Sequence, residues 1–333
     1  MKTPRFLAII VLALVATPFA APAGGRPAAR GDLARYPRPA FSGADIVAGL
    51  EEFVSTYPLR QALLPNNDAA AEFLAKEAEG LGYRTKTLVF QAGTPQRDVK
   101  VVEAVKRGRT RPGEWVVLVA HYDIANVTFT GATVEGAYDN GSGANLLRYF
   151  ARAFAEVETK RSIAIVWPGD EDTTGFVATN AYARALKERG QKVAAVLGFD
   201  MAGIGYPAPY CICISWSQAG AEVNVPVIDH VNFEFLEFPE GEASPSWPLG
   251  TEGTVCNCGP VQGAYGEGQF AGAGYPTIRW HGMAGPGDYP WGHTPLDTVR
   301  GMEIVAGSRA NLEEGMLNTF LSGYYTALML AER

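Results

Sequence analysis

The sequence predicts an α/β protein with a mostly parallel central sheet and helices on both faces. Three observations carry that expectation. Four short apolar runs, at 115–120 (WVVLVA), 163–167 (IAIVW), 194–199 (AAVLGF) and 276–280 (PTIRW), read as strands buried on both sides. Between the first three lie helical patterns at 144–157 and 179–189, the spacing of βαβ units. A chain of 333 residues with 47 % apolar content can bury one large core, which favours a single main domain.

In chain order, the first segment reads as a signal peptide over residues 1–23. Lys2 and Arg5 precede an apolar stretch at 6–15, and Ala21-Pro22-Ala23 suits signal peptidase. That stretch is far shorter than the roughly 20 residues a spanning helix needs, so the expected product is secreted or periplasmic, with no membrane partner. Residues 24–40, rich in Pro, Gly, Ala and Arg, read as a flexible leader, and the main domain runs over 41–333. Helical patterns follow at 44–57 and 67–81, the second opened by an Asn-Asn-Asp cap and closed by Gly82. Flanking strands are expected at 84–90 and 99–106. From about 205 to 265 the pattern loosens into Pro, Gly, Ser and aromatic residues, which suggests an insertion over an active site, with those aromatics available for an apolar pocket.

The formal net charge is −7, and the one basic cluster, KRGRTR at 106–111, reads as a solvated hairpin tip. Nucleic acid and anionic membranes are therefore poor partners. Four cysteines stand as two CxC pairs, Cys211 with Cys213 and Cys256 with Cys258. Disulfides suit an exported chain, while a four-thiolate zinc site or free thiols remain open, and the connectivity is not readable.

Ligands of parallel α/β sheets bind beyond the carboxyl ends of the strands, so the residues after each run matter most. His121 and Asp123 follow the first, Asp170, Glu171 and Asp172 the second, Asp200 the third, and His281 and His293 the fourth. No Lys or Arg occurs between Arg111 and Arg148 to balance the acidic residues there. Clustered carboxylates repel unless a cation sits among them, which points to a metal ion, and the number of candidate donors suggests two. Nitrogen and carboxylate donors without thiolate favour zinc.

These residues stand in motifs that resemble the co-catalytic zinc exopeptidases of peptidase family M28, which includes secreted leucyl-type aminopeptidases and has glutamate carboxypeptidase and glutaminyl cyclase as relatives. The matching stretches are AHYD (120–123), AYDNGSGA (137–144), GDED (169–172), GFDMAG (198–203) and GHTPLDT (292–298), in the family's order. The resemblance implies two zinc ions bridged by Asp139, one completed by His121 and Asp200 and the other by Asp172 and His293. It implies Glu171 as general base, with Asp123 fixing the tautomer of His121. The implied activity is release of N-terminal residues from peptides. A carboxypeptidase or a glutaminyl cyclase of the same fold, or a binding module without catalysis, are the rivals.

One departure stands out: Glu171-Asp172 is followed by Thr173-Thr174-Gly175, where the family has Glu-Glu, one residue and Gly. A register with Asp170 as base and Glu171 as ligand is therefore an alternative, as is His281 in place of His293. Asp297 reads as an N-cap of the helix from Thr298 onward. Gly141 and Gly143 read as letting the chain pass close to the metals.

Overall fold

In the computed structural model the described residues are 33–93, 96–125, 134–204, 212–241, 255–260, 266–282 and 289–333. The expected signal peptide, residues 24–32 of the leader, Cys211, and 205–211, 242–254 and 261–265 of the insertion lie outside them.

Two helices precede the sheet. α1 (Gly43–Thr56) starts where Ser42 and Asp45 cap each other, the hydroxyl accepting from one backbone N–H and the carboxylate from the other. α2 (Pro65–Gly80) begins on a proline, whose missing N–H is harmless in a first turn. Asn66 and Asn67 thus lie inside the helix instead of capping it. The strands are β1 (Arg84–Ala92), β2 (Arg97–Lys106), β3 (Arg111–Val119), β4 (Arg161–Pro168), β5 (Lys192–Phe199), β6 (Ile212–Trp216), β7 (Glu240–Gly241), β8 (Val255–Pro260) and β9 (Thr277–Gly282). Between and after them come α3 (Gly143–Ala155), α4 (Glu171–Thr174), α5 (Val177–Glu188), α6 (Ala221–Asp229), α7 (Gly266–Gly272), α8 (Val299–Ala306) and α9 (Arg309–Glu332).

The strands form one nine-stranded sheet in the order β1-β2-β4-β3-β5-β9-β6-β8-β7. Its centre, β4-β3-β5-β9, is parallel throughout. Antiparallel pairings of β1 with β2, β2 with β4 and β6 with β9 flank that centre. Successive side chains of β3 alternate between two cores. Val116 and Leu118 join α1, α2, α3 and α9 on one face, while Val117 and Val119 join Ala178, Tyr182 and Leu186 of α5 and Phe270 of α7 on the other. Helices therefore cover both faces, as the apolar runs require.

Two expectations need correcting. Leu33 is buried in the core and Arg35 pairs with Glu332, so packing against the main domain includes residues upstream of Phe41. The segment read as an insertion over the active site supplies, in its described residues, helix α6 and the strands β6, β7 and β8, which extend the sheet at one edge. Its buried strand, ICISW at 212–216, is hidden in the sequence by flanking Pro, Gly and Ser. In the parallel register of β6 on β8, Cys213 stands opposite Cys256.

One buried ion pair ties α2 to α3. Arg148 Nε lies 2.6 Å from Glu77 Oε2, and Arg148 Nη1 donates to Gly49 O at 2.9 Å. The guanidinium also lies over the Phe73 ring. Burial alone would raise the pKa of Glu77, but Arg148 and Arg152 more than offset it and hold the carboxyl below its usual range. Arg148→Met would leave that carboxylate buried beside one partly exposed guanidinium. The expected loss is about 3 kcal/mol in urea unfolding, and a loss below about 1 kcal/mol would show the pair to be dispensable.

Candidate metal centre

The polar residues sit where strands stop. β3 ends at Val119, and the extended chain beyond it carries His121 and Asp123; β4 ends at Pro168, and Glu171 and Asp172 open α4; β5 ends at Phe199, and Asp200 follows. Asp139 lies in the wide turn Ala137–Ser142 that leads into α3. His293 lies between β9 and α8 with φ at 60°, a left-handed conformation that costs a non-glycine residue roughly 1–2 kcal/mol. Elements far apart in the chain thus reach one end of the parallel centre.

Asp139 is central to the geometry. Its Oδ1 lies 3.4 Å from His121 Nε2, and its Oδ2 lies 2.9 Å from His293 Nε2. Asp200 Oδ1 is 3.5 Å from His121 Nε2, and Asp172 Oδ1 is 3.5 Å from His293 Nε2. Donor atoms of His121, Asp139 and Asp172 lie within 4.8 Å of one another, as do those of His121, Glu171 and Asp200. One carboxylate therefore faces two donor sets. They differ in access: the side chain of His121 is 2 % exposed and that of His293 56 %.

Asp123 braces this arrangement from behind. Its Oδ1 lies 3.1 Å from His121 Nδ1 and accepts the Glu171 N–H at 3.0 Å, while its Oδ2 accepts the Asp172 N–H at 3.1 Å. The same carboxylate thus orients the imidazole, leaving Nε2 toward Asp139 and Asp200, and fixes the first turn of α4.

The two alternatives raised from sequence, Asp170 and His281, lie outside the cluster, and Asp297 departs from its expected role. The Asp170 carboxylate accepts from the Ala178 N–H and from the hydroxyls of Thr174 and Thr179, so its oxygens secure the start of α5 and do not point into the cluster. His281 lies with Nδ1 2.7 Å from Arg279 Nη2 and 3.0 Å from the Asp200 carbonyl oxygen, outside the two donor groups. Asp297 does not cap α8; the Thr298 hydroxyl does, accepting from the Gly301 N–H. Asp297 instead accepts the N–H groups of Tyr138 and Asp139 at 2.8 and 3.1 Å and so holds the Asp139 turn. Gly143 is needed because a side chain there would meet the Phe199 carbonyl and the Asn140 side chain, a close approach of backbone to backbone.

Asn140 was not singled out from sequence, although it stands next to Asp139. Its Nδ2 donates to Phe199 O at 2.9 Å, and its Oδ1 accepts from the Gly143 N–H at 2.9 Å and the Met201 N–H at 3.3 Å. These bonds lock the Asp139 turn to the strand end that carries Asp200. Arg279 is the other omission: Nη2 lies 3.3 Å from Asp200 Oδ2, and Nε 3.2 Å from Glu267 Oε1. A strand-interior arginine carries no sequence signal for such a partner.

The buried charges need company. Asp172 Oδ2 and Asp200 Oδ1 are buried and accept no hydrogen bond among the described residues. Each such oxygen is destabilising by roughly 1–3 kcal/mol unless a cation faces it. Two imidazoles and several carboxylates without a thiolate fit zinc.

Residues 100–237 match the description Peptidase family M28. Aminopeptidase YwaD of Bacillus subtilis (strain 168) is 26 % identical over 294 residues, which is 84 % of this chain and 59 % of that protein, so the chain spans about three fifths of that relative's length. Among solved structures, BSAP, a zinc aminopeptidase from Bacillus subtilis, superposes with a TM-score of 0.67 at 13 % identity, covering 86 % of this chain and 96 % of that one. A glutaminyl cyclase from an Acidobacteriales bacterium superposes with a TM-score of 0.64 at 19 % identity, covering 91 % and 99 %. At such identities the structural likenesses establish the fold.

Without metal, protons take over the work of a cation here. Burial and the nearby Asp139 push the Asp172 carboxyl up to about 6, and hydrogen bonds to Asp139 and Asp172 push His293 up to about 10. Both groups hold protons more tightly in the folded than in the unfolded chain, so their contribution is full in acid. It is lost as pH rises, through about 6 for Asp172 and about 10 for His293. Asp139, depressed by the two histidines against the opposing effect of burial, acts in the reverse sense only in stronger acid. Chelator-treated protein should therefore melt at lower temperature at pH 8 than at pH 5, and added zinc should raise the midpoint more at pH 8. Equal zinc shifts at both pH values would show that protons and metal do not compete for this cluster.

Proposed function

We propose that this chain is an exported di-zinc aminopeptidase of peptidase family M28 that hydrolyses N-terminal residues from peptides. The observation that carries this reading is the division of the Asp139 carboxylate, one oxygen toward His121 and the other toward His293. One ion would be held by His121, Asp200 and Asp139, the other by Asp172, His293 and Asp139. Zinc bound there supplies Lewis acidity, polarising a scissile carbonyl and making water acidic enough to attack it.

The chain's own groups do the rest. Asp123 holds the proton on His121 Nδ1 and keeps Nε2 free to donate its lone pair. Glu171 takes the proton of the attacking water and delivers it to the departing amine. Burial, together with the negative charges of Asp200, Glu267 and Asp172, raises the pKa of Glu171 well above the usual carboxylate range. Cations held beside it would draw that value down, leaving a carboxylate basic enough to take the proton and to keep it until the amine leaves. The surplus of carboxylates around it favours the α-ammonium of a free peptide N-terminus. Export rests on the N-terminal pattern, and an even number of cysteines suited to disulfides accords with it.

A glutaminyl cyclase is the second reading, and the contact of Arg279 with Asp200 favours it. A guanidinium on the far oxygen of Asp200 draws charge from the oxygen that faces His121, which weakens that half of the centre and suits a single metal ion. Metal stoichiometry and ammonia release from N-terminal Gln separate the two.

Glu171→Gln should lower turnover of amino-acyl substrates by about 10²- to 10⁴-fold while two zinc ions per chain remain bound. Near-normal turnover in that variant would remove Glu171 from the mechanism. The unaltered protein should ignore N-blocked peptides, and cleavage of those from the carboxyl end would overturn the aminopeptidase reading.

A further inference from the structure

The segment between α1 and the first turn of α2 touches three of the four loops that carry the buried part of the centre, those of His121, Asp139 and Glu171. Arg60, fully buried, donates from Nε to Tyr122 O at 2.8 Å, from Nη2 to Gly136 O at 2.8 Å, and from Nη1 to Glu135 O at 2.6 Å and Tyr57 O at 3.1 Å. Tyr122 lies between His121 and Asp123, and Glu135 and Gly136 lead into the Asp139 turn. Asn67 adds the third loop: Nδ2 donates to Arg60 O at 2.9 Å and to Gly169 O at 3.1 Å, and Oδ1 accepts from the Tyr122 hydroxyl at 3.1 Å. The Ala62 N–H donates to Thr173 Oγ1 at 3.2 Å, and the Leu59 N–H to Val134 O at 3.0 Å.

Two features say that this loop is more than packing. Leu59 and Leu63, on either side of Arg60, have φ of 53° and 72°, conformations that destabilise a non-glycine and persist only where surrounding contacts dictate them. The hydrogen-bond acceptors of Arg60 are all neutral carbonyls, an uncommon choice for a buried cation. Its charge is balanced across space by Asp297, Asp123 and Asp139, and it remains a cation at neutral pH although burial pushes its pKa down to about 10.

We infer that Arg60 is a positioning residue for the metal centre: its planar fork sets the separation of the His121 loop from the Asp139 turn, and Asn67 extends the same control to the loop of Glu171 and Asp172. This rests on the proposed metal site. The geometry of the fork, and not its charge alone, is what acts, because one guanidinium reaches four carbonyls in three segments and a lysine ammonium presents three donors from a single point.

Arg60→Lys therefore separates shape from charge. In the purified protein, with folding checked by a cooperative melt, the variant should bind zinc about 10- to 100-fold more weakly in competition with a chelating dye. The visible spectrum of the cobalt-loaded variant should change, because donors have moved, and kcat should fall more than KM rises. Arg60→Lys with wild-type zinc affinity and an unchanged cobalt spectrum overturns the inference while leaving the metal reading intact. Wild-type protein that takes up no zinc overturns both. Should the variant fail to fold, the unaltered protein still decides. The Arg60 Nε–H resonance should be protected from solvent exchange in both the zinc-free and the zinc-loaded state, and rapid exchange in the zinc-free protein rules out a preformed clamp.

Discussion

Negative charge concentrated at the ends of parallel strands is the constraint around which this protein is built. Carboxylates that close together are tolerable inside a protein only if something positive lies between them. Asp139 marks the place: its two oxygens point to two imidazoles, and the rest of the local structure fixes that one side chain. Asn140 bonds the turn to the end of β5, and Asp297 accepts the N–H groups on its entering side. Because those bonds join segments more than 50 residues apart in sequence, the centre forms only when the whole sheet has formed.

Burial then divides the centre into unlike halves. Around His121 and Asp200 water is excluded, so interactions are strong and an unmatched charge is severely destabilising; Arg279 stands against Asp200 there. At His293 the imidazole is open to solvent, and its interactions are screened. Glu171 lies on the buried side of this division, its donor atoms grouped with those of His121 and Asp200, and the most exposed imidazole of the centre is that of His293.

The strands were legible in sequence because a strand buried on both faces reads as an unbroken apolar run; His121, Asp123, Glu171 and Asp200 drew notice because they follow such runs closely, whereas Asp139 and His293 lie further on and were singled out by the motifs around them. Less was readable where one residue type serves two purposes. Asp297 precedes Thr298, and both are good helix caps; which one caps depends on the tertiary partner, and the Asp139 turn claimed Asp297. Asp170 and Glu171 are adjacent carboxylates, and their roles separate only when α5 is seen to start against Asp170. β6 was hidden by its Pro- and Gly-rich surroundings. α9 was hidden too, because a helix buried along most of its length has little amphipathic periodicity to detect.

The missing counter-charge shows the same limit from the other direction. Between Arg111 and Arg148 the chain has no Lys or Arg, and a local reading assigns the whole balance to metal ions. In space, Arg279 reaches Asp200 from β9, and Arg60 is brought behind Tyr122 from the loop after α1. Part of the compensation is therefore permanent and covalently attached. A centre with fixed cations behind it needs less from an exchangeable ion to keep its shape, and it also attracts that ion less. Both guanidiniums reach the cluster from positions where neither spacing nor periodicity gives any sign of the contact.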